Sequence, residues 1–235
     1  MKQDYGYAEY VLRDLGYTDV EASEIIEVIK RGDYAFPHKC KTSVDGFKCE
    51  MWMMDECTGI DVPVLWTPDE GATANTIILL AQDPLRDSDY WDYSDKVLSH
   101  SSHVIVGTPY ALHLSDATKS VRVGTKHRVK RYNVGVYRYI IEALCERGYN
   151  VYCTDIFKYY MRETPCNAVS DFDANIFTNE CDRLNYVTII GMGKKAHQAI
   201  EKLRIDDSMV IRVKHPRSRP QRKKEQIVEE IIELL

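Results

Sequence analysis

The feature that most constrains the fold is a repeated change of hydrophobic pattern after Gly71. Short, almost continuous apolar runs alternate with longer segments whose apolar residues recur at helical spacing. Strands that are continuously apolar and separated by helices are typical of a parallel sheet covered on both faces. The sequence therefore predicts an α/β fold, arranged as a three-layer α/β/α sandwich with a central, mainly parallel sheet.

The predicted elements cover most of the chain. The predicted strands are residues 62–66, 76–81, 103–107, 150–154, 186–191 and 209–213. The predicted helices are residues 5–15, 20–31, 92–101, 132–147, 171–184, 194–203 and 221–234. We expect residues 1–70 to form a helical extension packed on the core, and residues 71–235 to form one compact α/β domain.

The composition indicates a globular protein. The chain has 235 residues, of which 44% are hydrophobic and 29% charged, which is ample for a full core. No segment has the apolar length of a membrane span, and the N-terminus lacks the apolar region of a signal peptide. Seven cysteines without a C-x-x-C pair fit reduced thiols better than a disulfide framework or a structural zinc site. We therefore expect a cytoplasmic monomer with no membrane partner, no metal and no other cofactor.

The charge distribution bears on nucleic-acid binding. A formal net charge of −5 argues on average against a nucleic-acid partner. Residues 119–131 and 212–224 are nevertheless strongly cationic, and local charge decides whether phosphate binds. These segments indicate either a DNA-binding rim or simply a solvated charged face.

Polar residues follow several of the predicted strands. In parallel sheets, ligands bind beyond the carboxyl ends of the strands, so these ends are the candidate site. Each motif also has a structural interpretation: Asp-Pro is common in turns, and Gly191-x-Gly193 allows either a phosphate loop or close helix packing. The strand ends are Gln82-Asp83-Pro84, Gly107-Thr108-Pro109-Tyr110, Thr154-Asp155-Ile156-Phe157-Lys158, Gly191-Met192-Gly193-Lys194 and Lys214-His215-Pro216-Arg217.

In their order along the chain, these motifs resemble those of the uracil-DNA glycosylase superfamily, over about residues 70–220. The segment Ala81-Gln82-Asp83-Pro84-Leu85 is similar to the family's G-Q-D-P-Y motif, and Tyr110 is the candidate for its base-stacking aromatic. Thr154-Asp155-Ile156-Phe157-Lys158 is similar to T-N-x-x-K, and His215-Pro216-Arg217 to the terminal H-P-S.

The resemblance implies a uracil-DNA glycosylase-like fold and a hydrolase of base excision repair that cleaves the N-glycosidic bond of a damaged or deaminated base. Asp83 and His215 would be catalytic: the carboxylate would stabilise the sugar cation and orient water, and the imidazole would donate to the departing base. The implied base-binding residues are Gln82, Leu85, Tyr110 and Asp155. The residues expected to bind single- or double-stranded DNA are Lys158, Lys214, Arg217, Arg219 and Arg222.

Three departures from the family pattern change these expectations. Asp155 replaces the base-reading Asn, and because an ionised carboxylate can only accept hydrogen bonds, we expect a weakened preference for uracil. Leu85 replaces a Tyr that excludes a 5-methyl group in one branch of the family. Arg217 and Arg219 stand where a Leu wedge would enter the duplex, and they would fill that space or grip phosphate.

Other interpretations remain open at the level of sequence. Asp155 could instead cap a turn or pair with Lys158. The chain could also be a catalytically inactive nucleic-acid-binding module of the same fold. A third alternative is an unrelated α/β hydrolase or nucleotide-binding protein in which residues 191–194 hold phosphate.

Overall fold

The computed structural model describes most of the elements predicted above. The described residues are 1–31, 35–36, 57–70, 75–82, 104–106, 121–123, 126–128, 134–161, 169–215 and 223–235. The predicted helix at residues 92–101 lies outside them. Among the helices in these ranges, none has the length and apolarity that crossing a membrane requires.

The predicted elements that the structure describes occur in the predicted order. The strands are β1 (Lys2–Asp4), β2 (Ala35–Phe36), β3 (Cys57–Ile60), β4 (Val64–Thr67), β5 (Thr76–Ala81), β6 (Val104–Val106), β7 (Val121–Val123), β8 (Lys126–Arg128), β9 (Asn150–Asp155), β10 (Tyr159–Met161), β11 (Tyr186–Met192) and β12 (Val210–Val213). The helices are α1 (Gly6–Asp14), α2 (Asp19–Lys30), α3 (Val134–Cys145), α4 (Asp171–Arg183), α5 (Lys194–Leu203) and α6 (Lys224–Leu234), with a single 3-10 turn at Asp207–Met209. Further strands, among them β1, β7, β8 and β10, were not predicted.

The central sheet has six strands in the order β1-β4-β9-β5-β11-β12. Strands β9, β5, β11 and β12 run parallel to one another, whereas β1 and β4 are antiparallel to their neighbours. All six residues of β5 are buried, because β9 and β11 flank this strand and helices cover both faces. The predicted α/β class with a mainly parallel central sheet is confirmed.

Helices cover the two faces of this sheet through alternate strand residues. Ile77 and Leu79 of β5 pack in one buried cluster with residues of α3 and α6, whereas Ile78 and Leu80 pack in another with residues of α4 and α5. Successive side chains of a strand point to opposite faces, so one apolar run supplies both clusters. This alternation explains why the strands are apolar throughout.

The described residues before position 71 contribute both helices and strands. Helices α1 and α2 pack in a third cluster with Ile60, Val62 and Ile176, as an extension packed on the core would. However, β1 and β4 also form one side of the central sheet, and β4 pairs directly with β9. The predicted division at residue 70 therefore runs between paired strands of one sheet.

A second sheet of four strands lies beside the central one, in the order β10-β3-β6-β2. The segment predicted as a strand at residues 103–107 forms β6 and belongs to this smaller sheet, where it pairs in parallel with β3. An apolar run predicts a buried strand but does not specify its neighbours, which accounts for this difference. Strands β7 and β8 form a separate antiparallel pair.

A capping box begins α2 and generates the first prediction. Thr18 Oγ1 accepts from the backbone N–H of Glu21 at 3.3 Å, and the Glu21 carboxylate accepts from the backbone N–H of Thr18 at 2.8 Å. Thr18→Ala leaves one of these N–H groups without its partner, so we expect a loss of about 1 kcal/mol in the free energy of unfolding, measured by urea denaturation. Ser23→Ala, at an exposed position within the same helix, should be neutral or slightly stabilising.

Candidate functional site

The carboxyl ends of four parallel strands bring several predicted site residues to one edge of the central sheet. Ala81 at the end of β5 lies opposite Asp155 at the end of β9, and Met192 of β11 lies opposite Val213 of β12. Gln82 and His215 continue β5 and β12 beyond this edge. Because β11 lies between β5 and β12, and neighbouring strands are about 4.8 Å apart, the two strand ends are separated by about 10 Å.

The end of β9 and the segment that follows it are held by four hydrogen bonds from backbone N–H groups. The N–H of Asp155 donates to Asp61 Oδ2 at 3.1 Å, and that of Ile156 to the carbonyl of Ala81 at 3.0 Å. Phe157 N–H donates to the carbonyl of Gln82 at 3.1 Å, and Lys158 N–H to Asp173 Oδ1 at 3.0 Å. The end of β9 therefore fixes the backbone of Gln82, the residue that precedes Asp83.

Beneath this edge lies a buried cluster of charged and hydroxyl groups. Lys158 Nζ is 2.8 Å from Asp61 Oδ2, 2.8 Å from Thr154 Oγ1 and 2.6 Å from Glu180 Oε2. The contacts with Asp61 and Thr154 are hydrogen bonds, whereas the contact with Glu180 Oε2 is an ion-pair distance without hydrogen-bond geometry. Burial alone would lower the pKa of Lys158, but the charge of Asp61 and the polar contacts with Asp61 and Glu180 outweigh burial and raise it, so the amine stays charged.

The position of Lys158 corrects one sequence-based expectation. We expected this residue to bind DNA, but its side chain is 0% exposed and its amine is paired inside the protein. A DNA phosphate requires a cation at the surface, which Lys158 is not. In the described structure it pairs with the buried acid Asp61.

The glycine-containing strand end at residues 191–193 serves close packing. A Cβ on Gly191 would lie 2.7 Å from Ile200 Cδ1, so this glycine lets α5 pack directly against β11. Gly193 has φ 93°, and a Cβ there would lie 2.8 Å from His215 Cβ. Only a residue without a side chain permits both this backbone conformation and this approach of His215. These contacts favour the packing interpretation of Gly191-x-Gly193.

The remaining predicted site residues differ in how far the structure describes them. Gln82 and His215 are partly buried, Lys214 is exposed, and Asp155 is only 3% exposed. The described residues therefore bring Gln82, Asp155, Lys214 and His215 to one sheet edge. The other predicted site residues lie outside the described part of the chain: Asp83, Leu85, Tyr110, Arg217, Arg219 and Arg222.

Three buried acids of this region were missed by the sequence-based predictions: Asp61, Asp173 and Glu180. Asp173 and Glu180 are seven residues apart in α4, on the same helical stripe as the buried Ile176 and Phe177. An acid on an apolar stripe is the signal that could have indicated them. Asp61 carries a similar signal, because it stands between apolar residues in Ile60-Asp61-Val62.

The buried amine generates the second prediction. Lys158→Met keeps the apolar length of the side chain but leaves the buried Asp61 carboxylate without its cation, and breaking a buried pair in this way costs about 3–5 kcal/mol. We expect a loss of that size in the free energy of unfolding at neutral pH, measured by urea denaturation. Lys194→Met, which removes an exposed lysine, is the control and should change stability little. A tolerated Lys158→Met would contradict the role assigned to the amine.

Comparison with known proteins gives no match: no family model, no curated protein and no solved structure matches this chain. A fold hosts many functions, so the function must be argued from the residues of the site itself.

Proposed function

We propose that this protein is a DNA glycosylase-like hydrolase that removes a damaged or deaminated base and has a weakened preference for uracil. The observation that carries the proposal is the convergence of Gln82, Asp155 and His215 at the carboxyl edge of one parallel sheet. These residues belong to three separate motifs of the sequence, and ligands of parallel sheets bind at this edge.

The chemistry of base removal explains the proposed roles. As the N-glycosidic bond breaks, positive charge develops on the sugar and negative charge on the departing base. Asp83, which follows Gln82 in the chain, would stabilise the cation and orient the attacking water. His215, held against Gly193, would donate a hydrogen bond to the base anion. Tyr110 and Leu85 would contact the face and edge of a flipped base.

The low exposure of Asp155 fits a residue at the bottom of a base pocket. Its backbone N–H is already bound by Asp61, and only 3% of the residue is accessible. A base reader has to be held rigidly by its surroundings, and the anchored segment from Asp155 to Lys158 supplies such support. An ionised carboxylate there would favour a base with an amino donor over uracil, whose O4 is an acceptor.

Cleavage of defined oligonucleotides tests the proposed activity. Single-turnover rates are measured on oligonucleotides that carry uracil, hypoxanthine, xanthine or cytosine at one position. We expect cleavage of at least one substrate other than uracil, and a loss of about 10²–10³-fold in Asp83→Asn, because the amide cannot supply the negative charge. Asp182→Asn removes an exposed acid and should keep the wild-type rate. Absence of cleavage of all four substrates would contradict the proposed glycosylase activity.

The second candidate is a nucleic-acid-binding module without catalysis, favoured by the cationic segment at residues 212–224. DNA affinity measured against salt tests this binding separately from cleavage. We expect a steep salt dependence, and the double substitution Arg217→Ala and Arg219→Ala should reduce its slope by about one unit for each phosphate that the variant no longer binds.

The matched control removes two cations elsewhere. Lys30→Ala with Arg31→Ala changes the net charge equally at two exposed residues near the end of α2. This variant should retain the wild-type slope. Equal slopes in both double variants, or no binding at low salt, would show that residues 217 and 219 form only a solvated charged face. Binding without cleavage would favour the inactive module.

A further inference from the structure

In the buried cluster around Lys158, the Thr154 hydroxyl group faces more acceptors than its single hydrogen can satisfy if both neighbouring carboxyl groups are ionised. Thr154 Oγ1 lies 2.9 Å from Asp61 Oδ2, 2.7 Å from Glu180 Oε1 and 2.8 Å from Lys158 Nζ. A hydroxyl has one hydrogen to donate and can accept two hydrogen bonds. Lys158 donates to it, so Thr154 can donate to only one of the two carboxyl groups. The other carboxyl group has to carry a hydrogen of its own.

The surrounding donors decide which carboxyl group is ionised. Asp61 Oδ2 accepts from the backbone N–H of Asp155 at 3.1 Å and from Lys158 Nζ at 2.8 Å. Both donors are fixed, and hydrogen bonds to a carboxylate favour its charged form. Glu180 is less well supplied, because Tyr152 offers Oε1 only a rotatable hydroxyl group, and Oε2 is near Lys158 Nζ without a hydrogen-bond partner. Asp61 is therefore the carboxylate that accepts the hydrogen of Thr154. The proton that completes the network belongs on Glu180 Oε1, which faces the same hydroxyl.

We propose that Glu180 is protonated in the folded protein and donates from Oε1 to Thr154, which makes the Lys158 cluster an electrically neutral, proton-linked lock on the carboxyl end of β9. The charges are then +1 on Lys158, −1 on Asp61 and 0 on Glu180. Loss of the proton leaves a net negative charge in the interior. This inference does not depend on the proposed glycosylase activity.

The other titratable groups around Glu180 do not replace it as the proton carrier. Burial raises the pKa of Tyr152, whose hydroxyl donates to Glu180 Oε1 at 2.8 Å, and raises the pKa of Cys181 on the same helix to about 12. Both stay neutral near pH 7. Burial also raises the pKa of Glu180, although Lys158 beside it acts in the opposite direction. Cys153 of β9 packs on the opposite face of the sheet and interacts with Asp61 and Lys158 only electrostatically, and Asp173 binds the backbone of Lys158.

The proton makes stability depend on pH with a definite sign. The pKa of Glu180 is higher in the folded than in the unfolded protein, so unfolding releases a proton between those two values. The stabilisation is complete below the unfolded pKa, about 4.3, and is lost as pH rises toward the folded pKa. In that window the contribution of Glu180 increases the unfolding equilibrium constant up to about tenfold for each pH unit.

Glu180→Gln tests the proposed protonation of Glu180, because an amide has nearly the shape of the protonated acid and cannot lose a proton. Urea unfolding of the wild type and the variant is compared between about pH 5 and pH 9. We expect the ratio of the wild-type to the variant unfolding constant to rise with pH, by up to about tenfold per unit. Glu201→Gln, at an exposed position on α5, should show no such trend.

The reverse results would overturn the proposal. If Glu180 is ionised, the variant removes a partner of Lys158, and the ratio should fall or stay flat with pH. A Glu180→Gln variant that does not fold would count equally against a neutral Glu180, since the amide keeps its size and lack of charge.

Infrared spectroscopy in D2O provides a direct second measurement on the folded proteins. A protonated carboxyl group has a carbonyl band separate from that of carboxylates. We expect the wild type near neutral pH to show one such band that is absent in Glu180→Gln and kept in Glu201→Gln. A spectrum in this region that is identical in the wild type and Glu180→Gln would show that Glu180 does not hold the proton.

Discussion

The ion pair of Asp61 and Lys158 stands where two sheets are joined. Asp61 links β3 of the smaller sheet to β4 of the central sheet, and Lys158 ends the link from β9 to β10, which makes the same change of sheet. A backbone hydrogen bond of 2.8 Å from Asp61 N–H to the Lys158 carbonyl accompanies the side-chain contact. Burying these charges is costly, and only a complete set of partners offsets the cost. The pair therefore favours one relative arrangement of the two strand links.

The ion pair of Asp61 and Lys158 also connects the interior to the proposed site. The peptide groups of Ile156 and Phe157, between the sheet and Lys158, bind the carbonyls of Ala81 and Gln82. The end of β5 is thus held by a segment that the buried ion pair anchors. The charges of the cluster do not face solvent, so they can support the edge without competing with a ligand for the groups exposed there.

Sequence reasoning located the elements well because their hydrophobic periods are strong. Residues 76–81 and 194–203 were predicted with the observed bounds, and the edge formed by the ends of β5, β9, β11 and β12 follows from the predicted parallel sheet. The role of Lys158 was wrong for a physical reason. A lysine near a strand end is ordinarily exposed, and its burial depends on Asp61 and Glu180, which are 97 and 22 residues away in the chain.

Strand β9 has one face with polar residues and one apolar face. Tyr152 and Thr154 point toward α4, where both hydroxyl groups contact Glu180 Oε1, while Val151 and Cys153 pack on the opposite face. These buried hydroxyl groups are tolerated because α4 presents a hydrogen-bonding partner, Glu180. That acid occupies a buried position on the otherwise apolar stripe of α4. Its presence, together with Lys158 and Asp61, means that this strand end is specified by hydrogen-bond geometry rather than by hydrophobic contact alone, and buried polar networks of this kind favour a single arrangement of the backbone.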